Sequence, residues 1–304
     1  MGRESFLELS EKPANIALAN MRSNFTKYLL LSFVLTIGFY PAAANAQTDA
    51  MAAATSSSPS QQWVSRAPFQ IGEVLTYEAK FNRTLVPPLT VGDLVFSVVE
   101  SPKGPGESFL IKSEAQSRGF AKWFGKDIEE KLESRLDGDK FRILRSVKHD
   151  KQDERVRNSE SIFDYEQGKV IYTETDPNDP ARRPYQLASS VPEITYDVVS
   201  GIYALRMMPL TVGKTFNVTV SDSGLVYTIP VSVTARERQK SIYGKVWTFR
   251  IEPQIFGDKR PFSQKGKLTI WIMDDPRRIP VRAEITASIG RIDVKLKRVE
   301  LTPK

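Results

Sequence analysis

Short runs rich in β-branched and aromatic residues, separated by tight-turn chemistry and not by helical segments, constrain this chain more than any other feature. They occupy 74–81, 91–99, 109–115, 141–147, 161–165 and 170–173 in the first half, and 215–220, 226–234, 246–251, 267–273, 281–289 and 292–301 in the second. The separators, among them Pro102-Lys103-Gly104-Pro105-Gly106, Asp137-Gly138-Asp139, Gln167-Gly168-Lys169, Asp222-Ser223-Gly224, Tyr243-Gly244 and Gly257-Asp258, supply positive-φ or proline-fixed positions. Antiparallel neighbours can be joined this way, whereas parallel neighbours need long crossovers. The pattern therefore predicts a mainly β chain, an antiparallel meander forming a curled sheet, half-barrel or barrel.

Two segments depart from it. From Asp197 to Met208 the apolar residues Val199, Ile202, Tyr203 and Leu205 fall at helical spacing, Asp197 stands where an N-cap belongs and Pro209 stops the run. This predicts a short amphipathic helix over 197–208, linking two sheet halves that meet near 195–212. Over 120–136, Ile128, Leu132 and Leu136 recur every fourth residue, which suits a helix or every second inward position of a strand.

The N-terminal region reads as an export signal. After Met21, Arg22 and Lys27 precede the apolar run Tyr28 to Tyr40, and Ala44 and Ala46 give the small-x-small pattern that a signal peptidase cuts, after Ala46. That run is too short to span a bilayer as a permanent anchor. Residues 1–20 precede a complete signal with its own methionine and read as a mis-annotated extension, with translation starting at Met21. Residues 47–62 are Ala, Ser and Gln in large part and read as a flexible linker, leaving 63–304 as one β-rich domain. With no cysteine in the sequence, neither a lipid-modified N-terminus nor a disulfide staple is available, and the expected location is the periplasm.

The opening Phe69-Gln70-Ile71-Gly72-Glu73-Val74-Leu75-Thr76-Tyr77, the segment Asp197 to Arg206 with Pro209-Leu210-Thr211-Val212-Gly213, and the block Trp271 to Val281 with Ile289-Gly290 together resemble the bacterial domain-of-unknown-function family 3108. The resemblance implies an exported envelope protein of predominantly β structure, brings no activity with it, and favours a strand over 120–136. More distantly the chain is similar to curled-sheet carriers that shuttle lipoproteins or lipopolysaccharide across the periplasm. Each block also has a plain structural role: Ile71-Gly72-Glu73 and Leu210 to Gly213 can turn the chain into a strand, and Asp274-Asp275-Pro276-Arg277 can form a hairpin turn.

The search for chemistry excludes more than it finds. The single histidine, His149, lies in the charged stretch Lys148 to Arg155 with no nucleophile elbow elsewhere, and is expected in a solvated loop. Cysteine nucleophiles and thiolate zinc sites lack their ligands. Asp176-Pro177-Asn178-Asp179 clusters oxygen donors but has neither the alternation nor the late glutamate of a calcium loop. There is no phosphate loop or dinucleotide fingerprint, so no cofactor is expected. The formal net charge of +7 is interspersed with acids, as in Arg236-Glu237-Arg238, which fits solvated strands or attraction to an anionic envelope surface better than nucleic-acid binding.

Two places are singled out. Lys122, Trp123, Phe124 and Lys126 set aromatics among lysines, the chemistry of a ligand mouth or membrane interface, and are expected to border an apolar groove. Asp274, Asp275, Arg277 and Arg278 are the expected exposed polar site. The leading expectation is a non-enzymatic periplasmic protein whose curled sheet encloses a groove for a lipid, another amphiphile or an envelope partner. The alternatives are a carboxylate-dependent enzyme acting on envelope glycans and an adaptor that pairs through an exposed sheet edge.

Overall fold

The computed structural model describes residues 67–83, 86–101, 107–123, 127–258, 260–288 and 290–301. The export signal, the linker and the extension before them lie outside the described residues. The strands are β1 (Glu73–Arg83), β2 (Val86–Glu100), β3 (Glu107–Ser117), β4 (Ile128–Asp137), β5 (Ile143–Gln152), β6 (Arg155–Asp164), β7 (Lys169–Thr175) and β8 (Tyr185–Ser190), then β9 (Thr215–Asp222), β10 (Leu225–Ser241), β11 (Gly244–Pro253), β12 (Gly266–Met273), β13 (Pro280–Ala287) and β14 (Gly290–Leu301). A helical turn, α1 (Phe120–Trp123), precedes β4, and the helix α2 (Val198–Met207) separates β8 from β9.

All 14 strands form one sheet in the order β8-β7-β6-β5-β4-β3-β2-β1-β14-β13-β12-β11-β10-β9. Sequential neighbours pair antiparallel, and β1 pairs antiparallel with β14, from Glu73 opposite Leu301 to Asn82 opposite Arg291. This is the cyclic order of an up-and-down barrel left open at one place, between β8 and β9. There the chain leaves the meander to build α2. The backbone of 195–196 laces the two sides of that seam: the Ile143 amide donates to Thr195 O (2.9 Å), the Tyr196 amide to Thr219 O (3.0 Å), and the Ser221 amide to Tyr196 O (2.7 Å). The expected mainly β, curled antiparallel sheet with one short helix is what the chain forms.

The α2 cap is the one its sequence announces. Asp197 is extended, its carboxylate accepts from the Ser200 amide (2.8 Å), and Ser200 Oγ accepts in turn from the Asp197 amide (2.9 Å). Val199, Tyr203, Ala204, Leu205 and Met207 are buried in one apolar cluster with Val98, Ile111 and Leu136 from one arm of the sheet and Val218, Val231, Ile251 and Ile272 from the other. The helix thus fills the space between the two arms. A second cluster joins Leu75, Tyr77, Trp271, Val281, Ile292 and Leu296 on the central strands. β10 serves both. Thr234 is an extra residue in its pairing with β11, where the register shifts between Val233 and Ala235. Before the shift Val231 and Val233 face α2; beyond it Glu237 accepts from Trp271 Nε1 (2.6 Å) and from Thr248 Oγ1 through its carbonyl (2.9 Å).

One sequence expectation needs correction here, and one strand was missed. His149 is not in a loop: the charged stretch around it continues β5, turns at Asp153 (φ 56°) and returns as β6. Its ring Nδ1 lies 2.7 Å from Asn158 Oδ1, its cross-strand partner. Charges are compatible with strands whose outer face is solvated, which is why the polar stretch concealed a hairpin. The polar strand β8 had no apolar signal either. Over 120–136 the resemblance pointed correctly to a strand from Ile128 onward, preceded by the single helical turn α1.

Candidate functional site

Three regions gather chemistry. The first is a buried node around Arg206, in the last turn of α2. Its guanidinium is 1 % exposed and forms a two-point ion pair with Glu73, Nη1 to Oε1 at 2.6 Å and Nη2 to Oε2 at 2.9 Å. Nη2 also donates to Pro68 O (3.1 Å) and Arg277 O (3.0 Å), and the rings of Phe69 and Tyr203 lie 5.2 and 5.1 Å from the guanidinium carbon. A charge this deep persists only when paired and hydrogen-bonded. The node draws together the start of β1, the end of α2 and the turn after β12, which are the three sequence blocks that carry the family resemblance.

At that turn Asp274, Asp275, Arg277 and Arg278 are brought together. Asp275 accepts from the Arg277 amide (2.9 Å) and from its side chain (2.7 Å), Asp274 accepts from Arg236 (2.6 Å) and lies 3.9 Å from Arg278, and Arg278 takes a positive φ of 49°. Arg277 is exposed, whereas the two aspartates and Arg278 are half-buried. Of the residues expected at a groove mouth, Lys122 is exposed on α1 and lies 3.8 Å from Asp127. The side chain of Trp123, with Phe124 and Lys126, lies outside the described residues.

The second region is a polar cavity of ≈ 60 Å³ at the seam, where β4–β7 face the N-terminus of α2 and the β9–β10 turn. Glu130, Lys148 and Asp222 line it with the hydroxyls of Ser146, Ser161, Ser221 and Tyr172. Lys148 Nζ is 2.9 Å from Glu130, and the Ser221 hydroxyl is buried without a hydrogen-bond partner. Burial drives the Asp222 carboxyl up to about 7, with Lys148 opposing and Glu130 reinforcing the shift. Burial also raises Glu130, against the pull of Lys148. For Lys148 itself burial works against the charge, but Glu130, Asp222 and Asp150 outweigh it and hold the ammonium above its ordinary range. Such a cluster can exchange a proton near neutral pH and hold ordered water. Its volume is well below the roughly 300–1,000 Å³ of sites that enclose a small organic ligand. The sequence offered no signal for it, because Glu130 and Lys148 lie on facing strands of the β4–β5 hairpin while Asp222 comes from the distant end of β9.

A wider outer groove of ≈ 510 Å³ crosses β1–β3 and β14. Most of its charges are spent on one another: Arg118 pairs with Glu78 (3.2 Å) and Asp93 (2.9 Å), and Lys297 with Glu78 (2.9 Å). Among the described residues no group of three or more His, Cys, Asp or Glu is placed to hold a metal ion. The Asp176 cluster forms an ordinary turn, its carboxylate accepting from the Asn178 amide (3.0 Å) and pairing with Arg157 (2.5 Å).

The third region is the β10–β11 hairpin. Arg236, Arg238 and Lys240 alternate as exposed residues with the half-buried Glu237 and Gln239. Ile242, Tyr243 and Trp247 are 44, 38 and 45 % exposed beside them. Arg236 lies 4.3 Å from the Trp247 ring centre, and Arg277 4.5 Å from that of Tyr243.

An antiparallel sheet curled around a central helix and left unclosed at one seam places the chain among β-barrel-like proteins. The beta-barrel-like protein of domain of unknown function DUF1849 from Brucella abortus shares this fold, with a TM-score of 0.50, 12 % identity, and coverage of 77 % of this chain and 98 % of that one. The chain belongs to the family described as protein of unknown function DUF3108, whose model matches residues 76–297. A protein from Bacteroides fragilis described as exported, with a YmcC-like fold, aligns at TM-score 0.30 and 13 % identity over 76 % of this chain and 97 % of its own. A protein from Parabacteroides distasonis described as a lipoprotein aligns at TM-score 0.30 and 9 % identity over 76 % and 95 %. No curated protein matches the sequence.

Proposed function

We propose that this chain is an exported, non-enzymatic protein of the bacterial cell envelope that binds an envelope component on the outside of a packed β scaffold. The observation that carries the reading is the position of α2. Its buried face joins both arms of the sheet in one core, so the space expected to form an apolar groove is occupied by Tyr203, Leu205 and Met207. Binding then falls to exterior surface, and the β10–β11 hairpin is where exposed aromatic and cationic residues concentrate. The order of basic, apolar and small residues from Met21 to Ala46 supports export.

Fractionation of the native host tests this. The chain is expected in the envelope, beginning at Gln47, pelleting with membranes at low salt and released at high salt, as a cationic surface contact requires. A chain found in the cytoplasm with its N-terminus uncut, or one that never pellets, would overturn the reading.

A further inference from the structure

We infer that the outward face of the β10–β11 hairpin docks on a membrane leaflet rich in anionic lipid, with Trp247, Tyr243 and Ile242 among the headgroups and Arg238, Lys240 and Lys245 on the lipid phosphates. The inference rests on the chain being an envelope protein, where such leaflets are the surfaces at hand.

Charge argues for it first. Register places Arg238 opposite Trp247 and Lys240 directly opposite Lys245. Like charges facing each other across a strand pair repel and destabilise the hairpin unless an anion lies against them. Several lysines elsewhere on the sheet have a carboxylate within reach: Lys112 pairs with Glu133 (2.7 Å), Lys131 with Glu129 (2.6 Å) and Lys151 with Asp127 (2.7 Å). On this face the acids are already taken, Asp274 by Arg236 and Asp275 by Arg277. Arg238 donates to the Lys245 carbonyl (3.0 Å), and neither it nor Lys240 nor Lys245 has an ion-pair partner among the described residues. A surface with unneutralised cations complements phosphate-bearing headgroups.

The second argument is the kind of apolar residue exposed. Tryptophan and tyrosine combine an apolar body with a polar edge and favour the headgroup layer, where neighbouring arginine and lysine stems cover hydrocarbon while their charges meet phosphate. The hairpin is also held before any encounter. Its inward side is fixed by the Glu237 bond to Trp271 and by Arg282 donating to Gln239 (3.4 Å), so docking need not order a loose loop.

Flotation of the purified full chain with vesicles tests the inference. Binding is expected to vesicles of phosphatidylethanolamine and phosphatidylglycerol and not to phosphatidylcholine alone. At about 1 kcal/mol per basic residue near an anionic leaflet, or about fivefold each, the triple variant Arg238→Glu/Lys240→Glu/Lys245→Glu should bind at least about 100-fold more weakly with its circular dichroism unchanged. Brominated anionic lipid should quench the wild-type tryptophan fluorescence, and the conservative variant Trp247→Phe should lose that quenching. Equal binding to both vesicle types, or undiminished quenching in Trp247→Phe, overturns the inference. Membrane pelleting in the host without binding to protein-free vesicles would point to a protein partner instead, removing the lipid assignment while the envelope reading stands.

Discussion

At the residue scale, the pair Glu73–Arg206 joins positions 133 residues apart, and its importance is invisible in either one alone. The sequence marks Ile71-Gly72-Glu73 as a turn into a strand, and so it is, with Gly72 at φ 92° and its amide on Val98 O (2.8 Å). The ionic purpose of Glu73 appears only when α2 brings Arg206 to it. Removing one partner of such a pair strands the other charge, so Arg206→Met should cost about 3–5 kcal/mol. The double variant Glu73→Gln/Arg206→Met should recover part of that loss in urea unfolding; a double variant no more stable than the single would refute this account. Asp222 supports a prediction about pH. Its carboxyl titrates near 7 folded and near its ordinary 3.8 unfolded, so between those values the folded state holds the extra proton and stability falls as pH rises. Asp222→Asn should therefore gain melting temperature on the wild type progressively from about pH 4 to pH 7, with the difference vanishing below pH 4. A difference independent of pH would show that Asp222 is not the titrating group.

At the scale of elements, the legible strands were those with one buried face. In β1, Leu75, Tyr77 and Ala79 are buried while their neighbours are half-exposed, and that period of two was plain in the sequence. The extension of β5 through His149 and the edge strand β8 were not legible, because polar residues on solvated strands carry no apolar rhythm. The Asp222-Ser223-Gly224 turn was read correctly as a reversal, but not as a seam contact. Gly224 takes φ 79°, and a Cβ there would lie 2.7 Å from Tyr172 Cβ and 3.3 Å from Leu187 Cβ, so the β9–β10 hairpin tip can approach β7 and β8 only with hydrogen at this position. Gly224→Ala combines left-handed strain of about 1–2 kcal/mol with overpacking of about 1–3 kcal/mol. The expected result is a clear drop in melting temperature together with faster amide exchange in β7 and β8. An alanine variant as stable and as protected as the wild type would mean that the seam is looser than its contacts imply.

For the whole molecule, the barrel-like order follows from hairpins closing in sequence, with one long-range step, the pairing of β1 with β14. Closure stops at the seam because the chain between β8 and β9 folds inward as α2; among the described residues the gap is bridged by the main-chain hydrogen bonds of Thr195 and Tyr196 and by the β9–β10 turn packed on β7 and β8. On the proposed reading, the same inward fold determines where binding can occur. A curled sheet with an empty concave face would hold an amphiphile; one filled by Tyr203, Leu205 and Met207 leaves the outside. The sequence by itself determined the antiparallel meander, the capped helix and the turn positions, because each depends on local periodicity and on backbone conformations that only certain residues adopt. Tertiary structure alone decided which charges meet, whether the interior is open, and which aromatics stay exposed. Those outcomes depend on contacts between distant strands, and no local spacing records that Arg206 will reach Glu73, that Asp222 will lie near Lys148, or that Trp271 will be covered while Trp247 is left in solvent.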